Sequence, residues 1–226
     1  PRSRVEIYEQ GCLDLSREIN QSRIENGNVG SLSPQRRLEI SSAIAAASIF
    51  CGKSVINVKS TCLDANDEEL VKSDFSTWDD LIERDLKESL DSALFSGRGT
   101  NCFGFAHKTY EEFLAARYIS KTDIDIKQKI SLFANKTADL FRVIPQLSET
   151  AAWLAGMDHE FFNVLAANDP QLLLRSDMSS HTEEMKKNLT ENLIAAFNQG
   201  FIDDSYWGIK RYYKKLVYSD ISSQVC

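Results

Sequence analysis

The sequence has no apolar run of the roughly eighteen residues that a membrane-spanning helix requires. Its first residues lack the basic, apolar and small-residue regions of a signal peptide. The five cysteines, Cys12, Cys51, Cys62, Cys102 and Cys226, are odd in number and scattered, and none falls at C-x-x-C spacing. That usage predicts buried, reduced thiols in a cytoplasmic protein rather than a disulfide framework or a zinc site. Of the three histidines, His107, His159 and His181, none pairs with a cysteine or a second histidine at metal-ligand spacing. Basic charge is short as well: 26 Lys and Arg stand against 33 Asp and Glu, for a net charge of −7. A nucleic-acid surface spread over the whole fold is therefore not expected. The last absence is a phosphate-binding loop. Gly52-Lys53-Ser54 matches the end of one, but the glycine needed five residues earlier is Ala47, inside a predicted helix. Gly52 is expected to stop that helix.

What is present is ordinary globular material: 226 residues, 42% hydrophobic and 26% charged, enough for one large or two small domains. Residue 1 is Pro1 and helical periodicity begins almost at once, so the chain is expected to be a piece of a longer one. Val5, Tyr8, Cys12, Leu15 and Ile19 recur at spacings of three and four and predict an amphipathic helix over 3–19. A polar connection with Gly27 and Gly30 follows. Ser33-Pro34 reads as N-cap and first helical residue, and Leu38, Ile44, Ala45, Ile49 and Phe50 carry the stripe to Gly52. The β-branched stretch 54–58 predicts a strand. A short helix is expected over 67–72, and a longer one over 78–91 capped by Thr77, with Trp78, Leu81, Ile82, Leu86 and Leu90 inward.

Residues 94–118 carry the most pattern. Ser96 to Asn101 is a turn cluster. Phe103 and Phe105 alternate with Cys102, Gly104 and Ala106, as in a strand with one buried face. Thr109 and Glu112 fit a capping box, so a helix is expected to begin there, with Tyr110, Phe113, Leu114 and Tyr118 on its apolar face. His107 then lies just before a helix N-terminus, where unpaired N–H groups favour an anion. Helix, strand, helix, helix and two-stranded wing is the order of a winged-helix domain.

Beyond 121 the pattern is helical throughout. Ile126, Ile130 and Phe133 mark one helix, and 140–154 one or two more around Pro145. Asp158 caps a helix with Phe161, Phe162 and Leu165 inward, and Asp169-Pro170 starts a short one through Leu174. Met185, Leu189, Leu193, Ile194 and Phe197 give a strong stripe ended by Gly200, and 204–218 reads as helical as well. Such helices suit either the start of an α-solenoid or a compact helical domain.

Catalytic groups are harder to find. The acidic pairs Asp79/Asp80, Glu111/Glu112, Glu183/Glu184 and Asp203/Asp204 fall at helix starts, where they complement the dipole. Cys102, five residues before His107, reads as a buried thiol rather than a nucleophile. No active site is expected in this chain. The 78–91 helix would be the DNA-reading element of a winged helix, but it carries Asp79, Asp80, Glu83, Asp85, Glu88 and Asp91 against Arg84 and Lys87. That balance repels phosphates, so a transcription factor is not expected.

The run Phe103-x-Phe105-x-His107-x-Thr109-x-x-Glu112-Phe113-Leu114-Ala115-Ala116 resembles the motif closing the winged-helix domain of NACHT proteins. These belong to the STAND class of signalling nucleoside triphosphatases. The opening Pro1-Arg2-Ser3-Arg4-Val5-Glu6-Ile7-Tyr8-Glu9 is more loosely similar to the late part of the helical domain after their nucleotide-binding core. The resemblance implies three parts: the end of a helical domain (1–33), a winged-helix domain (34–120) and a helical domain (121–226). The fold class would be mainly α with a small β-hairpin wing. It further implies that His107 contacts the β-phosphate of ADP held by an upstream core of the same chain. ADP or ATP with magnesium would be the cofactor of the full-length protein, none being bound by this segment alone. Protein partners and homo-oligomerisation on activation would follow, with no membrane. In bacterial relatives such switches commonly serve defence against phage. The alternative is a helical interaction scaffold with no nucleotide dependence, in which His107 is structural.

Overall fold

A computed structural model describes residues 3–17, 30–59, 69–71, 83–134, 141–201 and 216. The architecture is mainly α with a small four-stranded mixed sheet, and the chain divides into two units. The sheet unit runs Glu6–Lys121, and the helical unit comprises Thr122–Cys226 with Pro1–Val5.

The sheet unit contains most of α1 (Arg4–Arg17), then α2 (Pro34–Cys51), β1 (Val55–Asn57), β2 (Glu69–Val71), α3 (Glu83–Leu90), β3 (Phe95–Gly99), β4 (Cys102–Phe105) and α4 (Lys108–Lys121). Its centre is α2. Leu38, Ile40, Ile44 and Ala45 are fully buried there, against Phe113, Leu114, Ala115 and Ala116 of α4. Alanines on both faces let the two backbones approach closely. The ends of α2 are those the sequence predicts. The Arg36 N–H donates to Ser33 Oγ at 3.2 Å, Pro34 opens the helix, and Gly52 closes it at φ +67°, a left-handed conformation suited to glycine.

Strand order is β2-β1-β4-β3, with β1 parallel to β2 and the other pairs antiparallel. Ile56 faces Phe103, and Phe95 faces Phe105 with ring centroids 4.5 Å apart. A bulge between Gly97 and Gly99 takes up the turn, where Gly99 (φ +142°) and Asn101 (φ +60°) hold positive angles.

Three expectations need correction here. The stretch expected as a short helix over 67–72 contains β2 at 69–71, because pairing with β1 overrides local helix propensity. The helix after the hairpin starts at Lys108, so Thr109 lies inside its first turn and is not its cap. The hairpin's burial does not alternate cleanly. Gly104 is buried and Phe103 only partly so, since the Arg98 side chain lies over Gly104. Of the helix expected over 78–91, the part at 83–90 is observed, while 72–82 and Thr77 lie outside the described residues. Ile19, Cys62, Leu140, most of 204–218 and Cys226 lie outside them too.

Two buried arginines tie the sheet unit together. Arg37 donates to Glu88 Oε1 from Nη2 at 2.8 Å and from Nε at 3.2 Å, and to the Ser16 carbonyl at 3.2 Å. The Ser31 and Leu32 N–H groups also donate to the Glu88 carboxylate, at 2.9 and 2.7 Å. One carboxylate thus joins α3, α2 and the chain entering α2. A Cβ on Gly30 would run into the Glu88 carboxyl, so a larger residue there would force that side chain to move. Arg117 of α4 donates to Glu9 of α1 at 2.7 Å and to Ser42 Oγ of α2 at 3.1 Å.

The helical unit contains α5 (Ile126–Phe133), α6 (Ser148–Ala155), α7 (His159–Asn168), α8 (Pro170–Leu173) and α9 (Glu183–Asn198). Single 3-10 turns at Pro145–Leu147 and Met178–Ser180 precede α6 and α9. Phe133, Leu154, Phe161, Phe162, Leu165 and Leu173 form its fully buried core, with Phe133 and Phe161 in ring contact at 5.2 Å. Asp158 caps α7 by accepting the Phe161 N–H at 3.0 Å, and its second oxygen accepts from Lys129 at 2.7 Å. No described helix is long and apolar enough to cross a membrane.

Candidate functional site

The candidate site is the joint between β4 and α4. Backbone pairing positions it: β4 ends at Phe105, and the Ala106 N–H donates to the Leu94 carbonyl at 2.9 Å. The His107 carbonyl then accepts from the Tyr110 and Glu111 N–H groups at 3.2 and 3.4 Å. His107 therefore occupies the N-cap position of α4, a helix of fourteen residues. In any helix the first-turn N–H groups lack intrahelical partners and carry the positive end of the dipole.

The His107 side chain is exposed, and its ring stands edge-on to Tyr110 with centroids 5.5 Å apart at 82°. Among the described residues its imidazole makes no hydrogen bond. Tyr110 in turn meets Tyr8 of α1 edge-on at 6.1 Å. The aromatic contact steers the imidazole while leaving its nitrogens open.

Charge around the joint is arranged in two layers. Outside are Lys108 and Arg98, whose Nη2 donates to the Phe105 carbonyl at 3.1 Å. Beneath lies Glu111, 7% exposed, hydrogen-bonded to Ser48 Oγ of α2 and accepting from Lys108 Nζ at 2.9 Å. Ser48 Oγ is also bonded to the Lys53 carbonyl, which joins the end of α2 to the start of α4. The outer layer offers donors to an anion, and the buried carboxylate fixes Lys108. This set can bind; it holds no nucleophile paired with a base.

Of the other sequence candidates, Glu111 lies at this joint, while Asp79, Asp80, Asp203 and Asp204 lie outside the described residues. Gly52-Lys53-Ser54 is a helix stop, as its context predicts. His159 and His181 meet each other in the helical unit, ring centroids 5.4 Å apart. Cys12, Cys51 and Cys102 are free thiols, but only Cys12 is buried as expected; Cys102 is half-buried and Cys51 exposed at the end of α2. Burial, then the Glu9 carboxylate, pushes the Cys12 thiol up to about 12, which makes it unreactive. Among the described residues no group of three His, Cys, Asp or Glu side chains could hold a metal. Within the described part of the acidic helix, Glu88 turns inward to Arg37 rather than outward.

Sequence reasoning missed Glu111, Ser48 and Arg98. Glu111 reads as half of an acidic pair favouring a helix start, and only its contact with α2 shows that it is buried. No family model, curated protein or solved structure matches this chain.

Proposed function

We propose that the chain is a regulatory segment of a NACHT-type STAND nucleoside triphosphatase, in which a winged helix senses ADP or ATP bound to an upstream core. The observation that carries this reading is His107. It is exposed, unbonded among the described residues, and held at a helix N-terminus next to Lys108, two residues after the Phe105 carbonyl that Arg98 binds. Strand connectivity supports the winged helix: β1 follows α2, and it pairs antiparallel with the second strand of the hairpin that follows α3. The parallel strand β2 is an addition to that plan. The short, unequal helices after 121 suit a compact helical domain better than a solenoid.

The donors at the joint fit the phosphate end of a nucleotide. No described loop fits the rest of it, so the base, the ribose and magnesium fall to the upstream core. His107 would donate to the phosphate and hold the resting state closed, and exchange to ATP would release it. Catalysis belongs to that core and not to this segment, and oligomerisation and protein partners follow activation, as in anti-phage defence. The test is His107→Ala in the full-length protein, with the nucleotide released on denaturation identified by chromatography. Loss of retained ADP is expected. Unchanged ADP retention together with unchanged resting activity would leave the helical interaction scaffold.

A further inference from the structure

His181 is a buried titratable group that its surroundings do not serve. It follows the turn Met178–Ser180 and precedes Thr182, the N-cap of α9, and so stands at the connection leading from α8 into α9. Its ring lies on Phe162 of α7, centroids 4.0 Å apart at 36°, and the residue is only 5% exposed. Neither Nδ1 nor Nε2 has a hydrogen-bond partner among the described residues. A buried polar group without a partner is uncommon and costs stability.

Three ionisable groups face it. His159 lies one turn before Phe162 on α7, Lys186 is in the first turn of α9, and Asp177 precedes the 3-10 turn. A positive charge on His159 or Lys186 opposes one on His181, and only Asp177 favours it. Asp177 is already engaged, accepting from the Ser179 N–H at 3.0 Å, from Ser179 Oγ and from the Val5 N–H at 3.0 Å. An imidazolium at this position therefore has no hydrogen-bond acceptor among the described residues and faces the Lys186 ammonium.

We infer that His181 is an acid-sensitive joint: uptake of a proton by its imidazole drives the side chain from beside Phe162 and releases α9 from α7. The inference does not depend on the nucleotide reading. Burial, then His159, depresses the packed imidazole from 6.5 to about 4. The opened joint takes up its proton at the ordinary value, while the packed joint resists until about pH 4. Between those values the open form binds more protons, so stability falls as the pH falls. The opening equilibrium shifts by about tenfold per pH unit across that window and is flat above it.

The test uses the whole chain. Hydrogen exchange of the α9 amides, corrected for intrinsic rates, would be followed from pH 7 to pH 4.5 in wild type and in His181→Phe. Wild-type protection is expected to fall by about tenfold per pH unit below 6.5, and the variant to stay flat. Equal slopes in the two proteins would overturn the inference. A measurement on wild type alone guards against a variant that fails to fold. The His181 ring proton signal should hold its position in the packed protein until the pH is well below 6.5, and a titration centred at 6.5 would equally overturn it.

Discussion

Arg37 and Arg117 in the sheet unit are 4% and 2% exposed, as buried as the leucines beside them, and each is met by a carboxylate. In the helical unit His181 is 5% exposed, and among the described residues no carboxylate is hydrogen-bonded to it. The contrast follows from the chemistry of the two side chains. A guanidinium cannot shed its proton, so its burial demands a partner and ties together whatever elements supply one. An imidazole can become neutral, so it can be buried alone, at the cost of sensitivity to acid. Each unit holds a largely buried ion pair, Arg37–Glu88 in one and Lys129–Asp158 in the other, but the helical unit also buries a side chain that must stay uncharged.

The hardest blow to the sheet unit is Arg37→Met, which strands Glu88. A loss of about 3–5 kcal/mol is expected by urea denaturation, and Arg37→Met/Glu88→Leu should recover most of it. If the double variant is no more stable than the single one, the unpaired Glu88 carboxylate is not what destabilises Arg37→Met. Phe161→Ala should cost the helical unit a similar amount, about 3–5 kcal/mol, by opening a cavity against Phe133. Hydrogen exchange should localise that loss to α5 and α7.

Acid should separate the units by window. Burial alone would raise the Glu88 carboxyl, but hydrogen bonds from Arg37, Leu32 and Ser31 outweigh it and hold the group below its ordinary 4.5. Its contribution is therefore complete above pH 4.5 and lost only as the pH falls through the lower folded value. The His181 contribution is complete above 6.5 and declines down to about 4. Protection of α9 should thus fall at mildly acidic pH while that of α2 and α3 holds, and simultaneous loss would contradict the contrast. The smallest effects are at the caps. Ser33→Ala and Thr182→Ala should each cost about 1 kcal/mol by thermal denaturation, because the two hydroxyls do the same work in both units.

Legibility followed the range of the interaction. Ser33, Gly52, Asp158 and the stripe Phe161, Phe162 and Leu165 could be read directly, since a cap or a helical face is fixed within a few residues. That a hairpin forms was readable from 96–101 for the same reason, but 96–99 expected as turn belong to strand β3, only Thr100 and Asn101 make the turn, and which face would be covered was not readable. Strand β2 was not readable, because Glu69, Leu70 and Val71 become a strand only when β1 lies alongside. Thr109 misled for a related reason. Its spacing to Glu112 suits a cap, but the hairpin delivers the chain so that His107 takes that position. His107 itself stood out in the sequence, whereas its setting of Arg98, Lys108, Glu111 and Ser48 did not.

The sequence by itself determined most of the described helix ends, the hairpin, the described helices α5 to α9 and the histidine at the start of α4, all set by contacts between near neighbours in the chain. Only the tertiary structure decided that Glu88 would gather Arg37, Ser31 and Leu32, that Glu111 would be buried under Lys108, and that His181 would lie unpartnered on Phe162. Burial and partnership of a charged side chain depend on residues far away in sequence, and no local pattern records them.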